Sequence, residues 1–551
     1  MQQAKYYITS FLFAIALALN AQVNPGPEIA WQRCYGGSAN DFFSDAIHTT
    51  DGGILASILT SSTNGDLTGI PYSNGWIIKF NSLFDIEWQK FSGYYDCQFT
   101  ANKIFQLNDE SYIYGGATEI DCGENNGFLD IGLMKTDNIG NQLWQKSFGG
   151  PGTDVIEGLL PTQDGGFLLT GRSSAAGGDI PFHYPGGAGD DDAIVIKIDS
   201  AGEIIWLKVL GGSGDDGPLG DIIENERGYY IINIGAHSND YDLADSGISG
   251  DKRWIVKLDS LGNIVDESFM SGDTDLYTYT GPTVMTYNDG FLIVGQGDPD
   301  SELYPTSPEH DSDEGAMAIF NANLDLTFYK QWGGSEFDGF ARVIEDKTSG
   351  NFYFIGASAS PDYDLPDNYN NGEELDYWLF ATDSNFNTLW SKNFGGSDPC
   401  GDLACGSFNG NILLKDNMLY AFIKNTIPDS FPDFDIDCGY ERNFYFETDA
   451  WLVAFDLNTV SIESSLHVYE DITIYPNPAT NELYIDLTAI TETQIPVRII
   501  IYNLIGNKIL EQELFAGEIQ TIALNNFSAG IYLLQCYQEN ILLHTEKVMV
   551  E

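Results

Sequence analysis

The phrase WQKSFGG at Trp144 to Gly150 recurs along the chain: WQRCYGG from Trp31, WQKFSGY from Trp88, WLKVLGG from Trp206, DESFMSG from Asp266, FYKQWGG from Phe328 and WSKNFGG from Trp390. Counted from Trp31, the spacings are 57, 56, 62, 60, 62 and 62 residues. A period of this size means one supersecondary unit per repeat, stacked in a row or set around an axis, because a lone unit cannot bury its own apolar face.

The third copy shows what a unit contains. VIEGLLPTQ, FLLTGRSS, DAIVIKID and IIWLKVLGG are four short apolar runs, separated by Asp164-Gly165-Gly166, a long polar loop, and Asp199-Ser200-Ala201-Gly202. Asp-Gly-Gly between apolar runs is a tight hairpin signal, because glycine and aspartate tolerate the positive φ of such turns. It recurs at Asp51-Gly52-Gly53 and, as Asp289-Gly290, once more. In DAIVIKID, Ile194, Ile196 and Ile198 alternate with Val195 and Lys197, the period of two of a strand with one face on a neighbouring sheet.

Repeated antiparallel four-strand units predict an all-β fold, a β-propeller. A parallel β-solenoid is the competitor, but its coils lack two-residue hairpins. The large flat Trp fills the wedge between sheets, and Gly-Gly lets the backbone swing into the next blade. Three-strand sets begin near residues 41, 97, 154, 215, 274, 338 and 402, and a tryptophan strand at Ile29 to Tyr35 precedes them all. That count predicts seven blades, with the Trp31 strand completing the last one and removing the exposed edges. An eighth blade would have to start at Val460 to Ser465, which is too short.

The amino terminus, MQQAKYYITSFLFAIALALNAQ, has Lys5 ahead of an apolar run of about 14 residues, shorter than the ~20 needed to cross a bilayer. It reads as a signal peptide over residues 1–21, cleaved between Ala21 and Gln22, followed by the propeller over 22–465. No later run is long enough to predict a transmembrane segment.

From about residue 466 the pattern changes. ITIYPNPATNELYIDL, VRIIIYNLIGNKIL and LNNFSAGIYLLQCYQENILLHTEKVMVE resemble the type A carboxy-terminal sorting domain of the Bacteroidetes type IX secretion system. Tyr475, Pro476, Asn477 and Pro478 at the start, Gly530 and Tyr532 before a late strand, and Lys547 near the end fall in that family's order. The resemblance implies a small Ig-like β-sandwich over 466–551, recognition by the type IX machinery, and a protein released or held at the cell surface. Independently, Val497, Ile499 and Ile501 alternate as on one strand face, with Gly506-Asn507 in a turn.

The repeats are also similar to those of other large secreted Bacteroidetes proteins, a likeness that implies no agreed activity. The Asp-x-x-Gly-x-x-x-Trp turn is similar to the tryptophan docking motif of quinoprotein propellers, with its Asp-to-Gly spacing one residue shorter.

Composition narrows the partners. With 81 Asp plus Glu against 24 Lys plus Arg, the formal net charge is -57, which repels phosphate backbones and anionic lipid. Nucleic acid is thereby excluded; cations and neutral polar ligands are favoured. Seven cysteines suit an oxidising compartment. Cys97 and Cys122 fall in loops of one face and are expected to pair. In the last blade Cys438 is expected to bond Cys400 or Cys405, with Cys34 as the alternative partner, and Cys536 to stay free.

On that loop face an acid recurs in register. Gly171, Gly235, Gly295 and Gly356 are followed seven or eight residues later by Asp179, Asp242, Glu302 and Asp364, and Asp66 and Asp435 occupy comparable loops. Asp41, Asp154, Asp216 and Asp338 each stand four residues after a Gly-Gly. Hard oxygen ligands on loops suit calcium, which takes six to eight of them. Aspartate is equally a turn residue that bonds backbone. Carboxylates such as Asp190 to Asp192 are present for hydrolase or lyase chemistry, but nothing singles out a pair, and no nucleophile elbow, zinc helix or phosphate loop occurs. The expected function is a secreted, non-catalytic binding module for polysaccharide or protein, with a polysaccharide hydrolase or lyase as the alternative.

Overall fold

A computed structural model describes residues 26–68, 75–94, 97–119, 129–187, 190–271, 284–287, 290–297, 312–365, 375–395, 411–426, 435–439, 447–459, 472–488, 496–503, 508–515, 517–524, 527–528, 530–538 and 541–550. The chain is all-β: among these residues only strands, turns and three short 3₁₀ turns occur. Strands follow one another as antiparallel units. The first spans Asp41–Tyr94 and the second Cys97–Phe148; these two share one hydrogen-bonded sheet only through Gly93↔Gln98 and Tyr94↔Cys97. The third runs from Asp154 to Leu210, the fourth from Asp216 to Ser271, the fifth from Val284 to Trp332 and the sixth from Asp338 to Phe394. The last unit takes three strands, Asn411–Lys415, Met418–Thr426 and Thr448–Asp456, from the far end of this region. Its fourth is Ile29–Tyr35, paired antiparallel from Ile29↔Phe455 to Tyr35↔Ala450.

The third strand of each unit is buried on both faces. Every residue of Asp192–Ile198 and of Asp376–Thr382 is buried, so the alternation read as a half-exposed strand instead marks two sheets packing on either side. Trp76, Trp254, Trp378 and Trp451 on these strands are completely buried, and each indole N–H donates to a polar side chain of the fourth strand: Gln89, Glu267, Ser391 and Gln32 respectively. Lys197, although buried, bonds Asp164 of the Asp-Gly-Gly hairpin at 3.0 Å, and Lys79 repeats this with Asp51 at 2.9 Å. Gly52 and Gly165 in those hairpins both have φ of 83°, the value that excluded other residues.

The recurring tryptophan docks on the turn of the next unit. A methyl group on Gly140 would lie 2.8 Å from the Trp88 ring, one on Gly202 3.5 Å from Trp144, and one on Gly262 2.9 Å from Trp206. Where the turn carries Phe the rings meet, Phe84 on Trp31 at 4.9 Å and Phe386 on Phe328 at 5.2 Å. The last unit has no covalent turn before its fourth strand. Gly26, just ahead of that strand, takes the turn's part: a methyl there would lie 2.9 Å from Trp390.

The last segment forms two sheets over one core. Thr473–Tyr475, Glu482–Asp486 and Ile519–Ala523 make one, and Lys508–Leu514, Val497–Asn503, Gly530–Gln538 and Ile541–Val550 the other. Ile474, Leu483 and Ile485 from the first pack with Val497, Ile499, Ile501, Leu534 and Val548 from the second. Gly506 and Asn507 lie outside the described residues. No helix among the described residues is long and apolar enough to cross a membrane.

Candidate functional site

The in-register acids lie where the second strand of a unit turns toward its third, and each closes a reciprocal pair of hydrogen bonds with the glycine that opens its unit. Asp66 N–H donates to Gly36 O at 2.9 Å while Gly36 N–H donates to Asp66 Oδ2 at 3.2 Å. Asp179 repeats this with Gly149, Asp242 with Gly211, Asp364 with Gly333 and Asp435 with Gly395. The aliphatic residue that follows, Leu67, Ile180, Leu243, Leu365 or Ile436, is buried as a plug between sheets. Their register therefore has a cause inside the loops. Among the described residues no three Asp, Glu, His or Cys side chains gather as a group able to hold a metal. Glu302 lies outside the described residues.

Asp41, Asp154, Asp216 and Asp338 lock the same loops from below. Each Oδ2 accepts the N–H of the second glycine, Gly37, Gly150, Gly212 or Gly334, at 2.6 to 2.8 Å. All four are fully buried, as are Asp130, Asp192 and Glu314 of adjoining third strands. A methyl on Gly149 would lie within 2.7 Å of both Asp154 and Asp130, and one on Gly333 within 2.5 Å of both Glu314 and Asp338. That is why the position must be glycine. Burial pushes the Asp41 and Asp192 carboxyls up to about 6, and burial together with Glu314 raises Asp338 well above the usual range.

A second cluster forms where first strands of different units meet. Lys103 of the second unit bonds Asp221 of the fourth at 2.6 Å. Asp45 of the first accepts Ile104 N–H at 2.8 Å and the side-chain amide of Asn411, in the last unit, at 2.9 Å. Burial raises Asp45 against the pull of Lys103 and Arg342; at Asp221 burial acts upward too, but Lys103 and Arg342 outweigh it and the carboxyl is lowered. Asp45, Lys103 and Arg342 follow β-bulges, between Phe43 and Asp45, Ala101 and Lys103, and Phe340 and Arg342. An inserted residue breaks the period of two, so the sequence pattern did not single them out.

The loop face also carries aromatic rings that the sequence reading passed over. The slot before the register acid is left-handed: φ is 63° at Gly65 and 56° at Gly178, but the same slot holds Tyr241 at 50° and Tyr363 at 54°. A side chain there costs roughly 1 to 2 kcal/mol of backbone strain. Tyr241 is 52% exposed, so its ring does not recover that cost as core, and the neighbouring Phe182 is 44% exposed. Tyr184 stands between them, 5.3 Å from Phe182 at 90° and 5.0 Å from Tyr241 at 40°. The Tyr184 hydroxyl donates to Asp242 Oδ2 at 2.8 Å and its N–H to Asp192 Oδ2 at 2.7 Å. Burial and the bond to Asp242 both raise the phenol, which keeps it a proton donor. His183 bonds the carbonyls of Tyr184 at 2.8 Å and Asp190 at 3.1 Å, which fixes the segment. Rigid exposed rings beside carboxylate acceptors can stack on sugar faces and accept their hydroxyls.

The disulfide of the last unit joins Cys438 to Cys34 of the closing strand, with Cα atoms 5.6 Å apart. Cys400 and Cys405 are therefore not its partners; Ile436, plugged into the core, sets Cys438 down over the closing strand. Cys400, Cys405 and Cys122 lie outside the described residues, as do Ala21, Gln22 and the Cys97 side chain. Cys536 is free and buried.

In the last segment the Tyr475-Pro476 and Asn477-Pro478 bonds are cis. Asn477 ties this turn to the final strand, accepting Met549 N–H at 2.9 Å and donating to Lys547 O at 2.7 Å. Tyr475 is exposed and stacks on Tyr484 at 5.7 Å, Tyr532 donates to Ser528 O at 2.8 Å from the strand that Gly530 opens, and Lys547 is exposed.

A curated relative, the endo-acting ulvan lyase of Formosa agariphila, is 29% identical over 98 residues, 18% of each chain, so this chain spans under a fifth of that relative's length. Among solved structures, polysaccharide lyase Uly1 matches with a TM-score of 0.42 at 9% identity, covering 78% of this chain and all of that one. A duf4221-family protein of Bacteroides vulgatus matches at 0.31 and 11%, covering 79% and 98%. Residues 473–551 match the secretion system C-terminal sorting domain, and the chain is thus a type IX secretion cargo, exported to the cell surface or the extracellular space.

Proposed function

We propose that this cargo is a seven-bladed β-propeller over residues 22–465, joined to an Ig-like sandwich over 466–551 after loss of a signal peptide at Ala21 and Gln22, and that its loop face binds polysaccharide without cleaving it. The closing strand and the meeting of Asp45, Lys103, Asp221 and Asn411 from separate units support the ring. The observation that carries binding is the ring set of exposed Phe182 and Tyr241 with half-buried Tyr184 between them, one member of which is held in a strained backbone. Co-sedimentation of the purified chain with insoluble plant, algal and bacterial polysaccharides tests it. Depletion from the supernatant by at least one polymer is expected, and a chain left in solution by all of them overturns the reading.

A lyase is the second reading, favoured by the ulvan lyase relative and by His183 and Tyr184 lying side by side. Cleavage by elimination leaves an unsaturated sugar end that absorbs in the ultraviolet. The binding reading expects no rise in absorbance on incubation with ulvan; a rise that disappears in Tyr184→Phe establishes the lyase instead.

A further inference from the structure

Resting on the binding reading, we propose that the ring set of Phe182, Tyr184 and Tyr241 selects neutral polysaccharides and turns away sulfated or uronate-bearing ones. Three observations carry it. The rings form an angled shelf: Tyr184 and Tyr241 open at 40° and Phe182 stands at 90° to Tyr184 as a wall. Such a shelf takes the apolar face of a sugar and leaves the chain free to run on at both ends, which suits a polymer rather than a free sugar.

The polar groups around the shelf are acceptors. Asp242, which holds the Tyr184 hydroxyl, is exposed, and Asp245 lies three residues on and is also exposed. These carboxylates can take hydroxyl protons from a sugar, and they repel its carboxylates and sulfates.

The nearby cations are turned elsewhere. Arg172 Nε lies 3.3 Å from Glu157 Oε1. Lys252 is buried, with Nζ 2.9 Å from Gly250 O and 3.1 Å from Asn239 Oδ1. His183 is turned inward, its ring nitrogens 2.8 Å from Tyr184 O and 3.1 Å from Asp190 O, and Nδ1 3.5 Å from Asp192 Oδ2. A polyanion would thus meet carboxylates and, among the described residues around the shelf, cations already turned to other partners, on a chain whose net charge is -57.

The strained slot supplies the variant that separates ligand contact from folding. Gly65 and Gly178 occupy the same slot in other units, so Tyr241→Gly restores the residue the backbone prefers while removing one ring. Affinity electrophoresis of the full chain through gels containing mixed-linkage β-glucan, xyloglucan or ulvan reads the outcome. Retardation by a neutral glucan, none by ulvan, at least about tenfold weaker retardation in Tyr241→Gly and Phe182→Ala, and an unchanged or higher unfolding midpoint in Tyr241→Gly are expected. Retardation by ulvan with both glucans inert overturns the ligand class and leaves the binding reading standing. Retardation by none of the three overturns both. Glucan retardation that survives both substitutions moves the site away from these rings and overturns the proposal.

Discussion

Removing the Cys34–Cys438 disulfide should cost stability because of where it sits. The bond closes a loop of 404 residues between the strand that completes the last unit's sheet and the loop packed above it. In the chain-entropy treatment a closed loop of that length restricts the unfolded chain by about 20 cal/mol/K, or about 6 kcal/mol at 25 °C. The native closing strand keeps its ladder to Thr448–Asp456 and its Trp31 contact with Phe84, so the loss falls mainly on the unfolded side. Strain and residual unfolded structure reduce such values, and a loss of about 2 to 6 kcal/mol is expected. The assay compares urea unfolding of the oxidised chain with the Cys34→Ala/Cys438→Ala double variant, alongside protease cleavage near Gly26 to Tyr35. A lower midpoint and earlier cleavage there are predicted. Equal midpoints, with equal protection of that strand, would refute the view that the bond latches the last unit's closing strand.

Stability should rise as pH falls from about 7 to 5. Asp41, Asp192 and Asp338 have carboxyls raised in the folded state, so the folded chain takes up protons before the unfolded one does, adding about 1.4 kcal/mol per pH unit for each such proton. Asp51, lowered to about 2 in its bonds to Lys79 and Thr49 although burial acts the other way, reverses the trend only in stronger acid. Denaturation midpoints across pH check this, and Asp338→Asn should flatten the slope. Leu243→Ala, which empties a buried plug, should cost about 2 to 5 kcal/mol by denaturant unfolding. Gly202→Val, which forces a side chain at positive φ against Trp144, should destabilise by more than about 1 kcal/mol in the same assay. Deleting residues 473–551 should leave the protein inside the outer membrane, read by fractionation and surface labelling.

Much of the architecture was legible because the repeat is written in short-range signals. Asp164-Gly165-Gly166 and the Trp144 phrase each specify a turn or a contact within one or two units. The closing strand followed from counting a tryptophan strand too many at the start and too few at the end. The site was less legible because its partners are distant or its register is interrupted. The acids at Asp66 and Asp179 were found in register, but the glycines they bond lie 30 residues upstream. Asp45, Lys103 and Arg342 sit beyond bulges that shift the alternation. For Cys438 the sequence favoured Cys400 or Cys405 and kept Cys34 as the alternative; packing of the last unit makes the alternative the partner. Tyr241 carried no signal in the sequence, and only its φ set beside those of Gly65 and Gly178 marks it as a residue kept at a cost.

The most direct test of the account is to map where a retained glucan touches the chain, by hydrogen exchange of backbone amides with and without the polymer. The account predicts slowed exchange in residues 182–184 and 240–243, with amides around Lys103 and Arg342 and in the turns at Gly140 and Gly202 unchanged. Slowed exchange confined to the sorting domain, or to the turns on which the tryptophans dock, would contradict it.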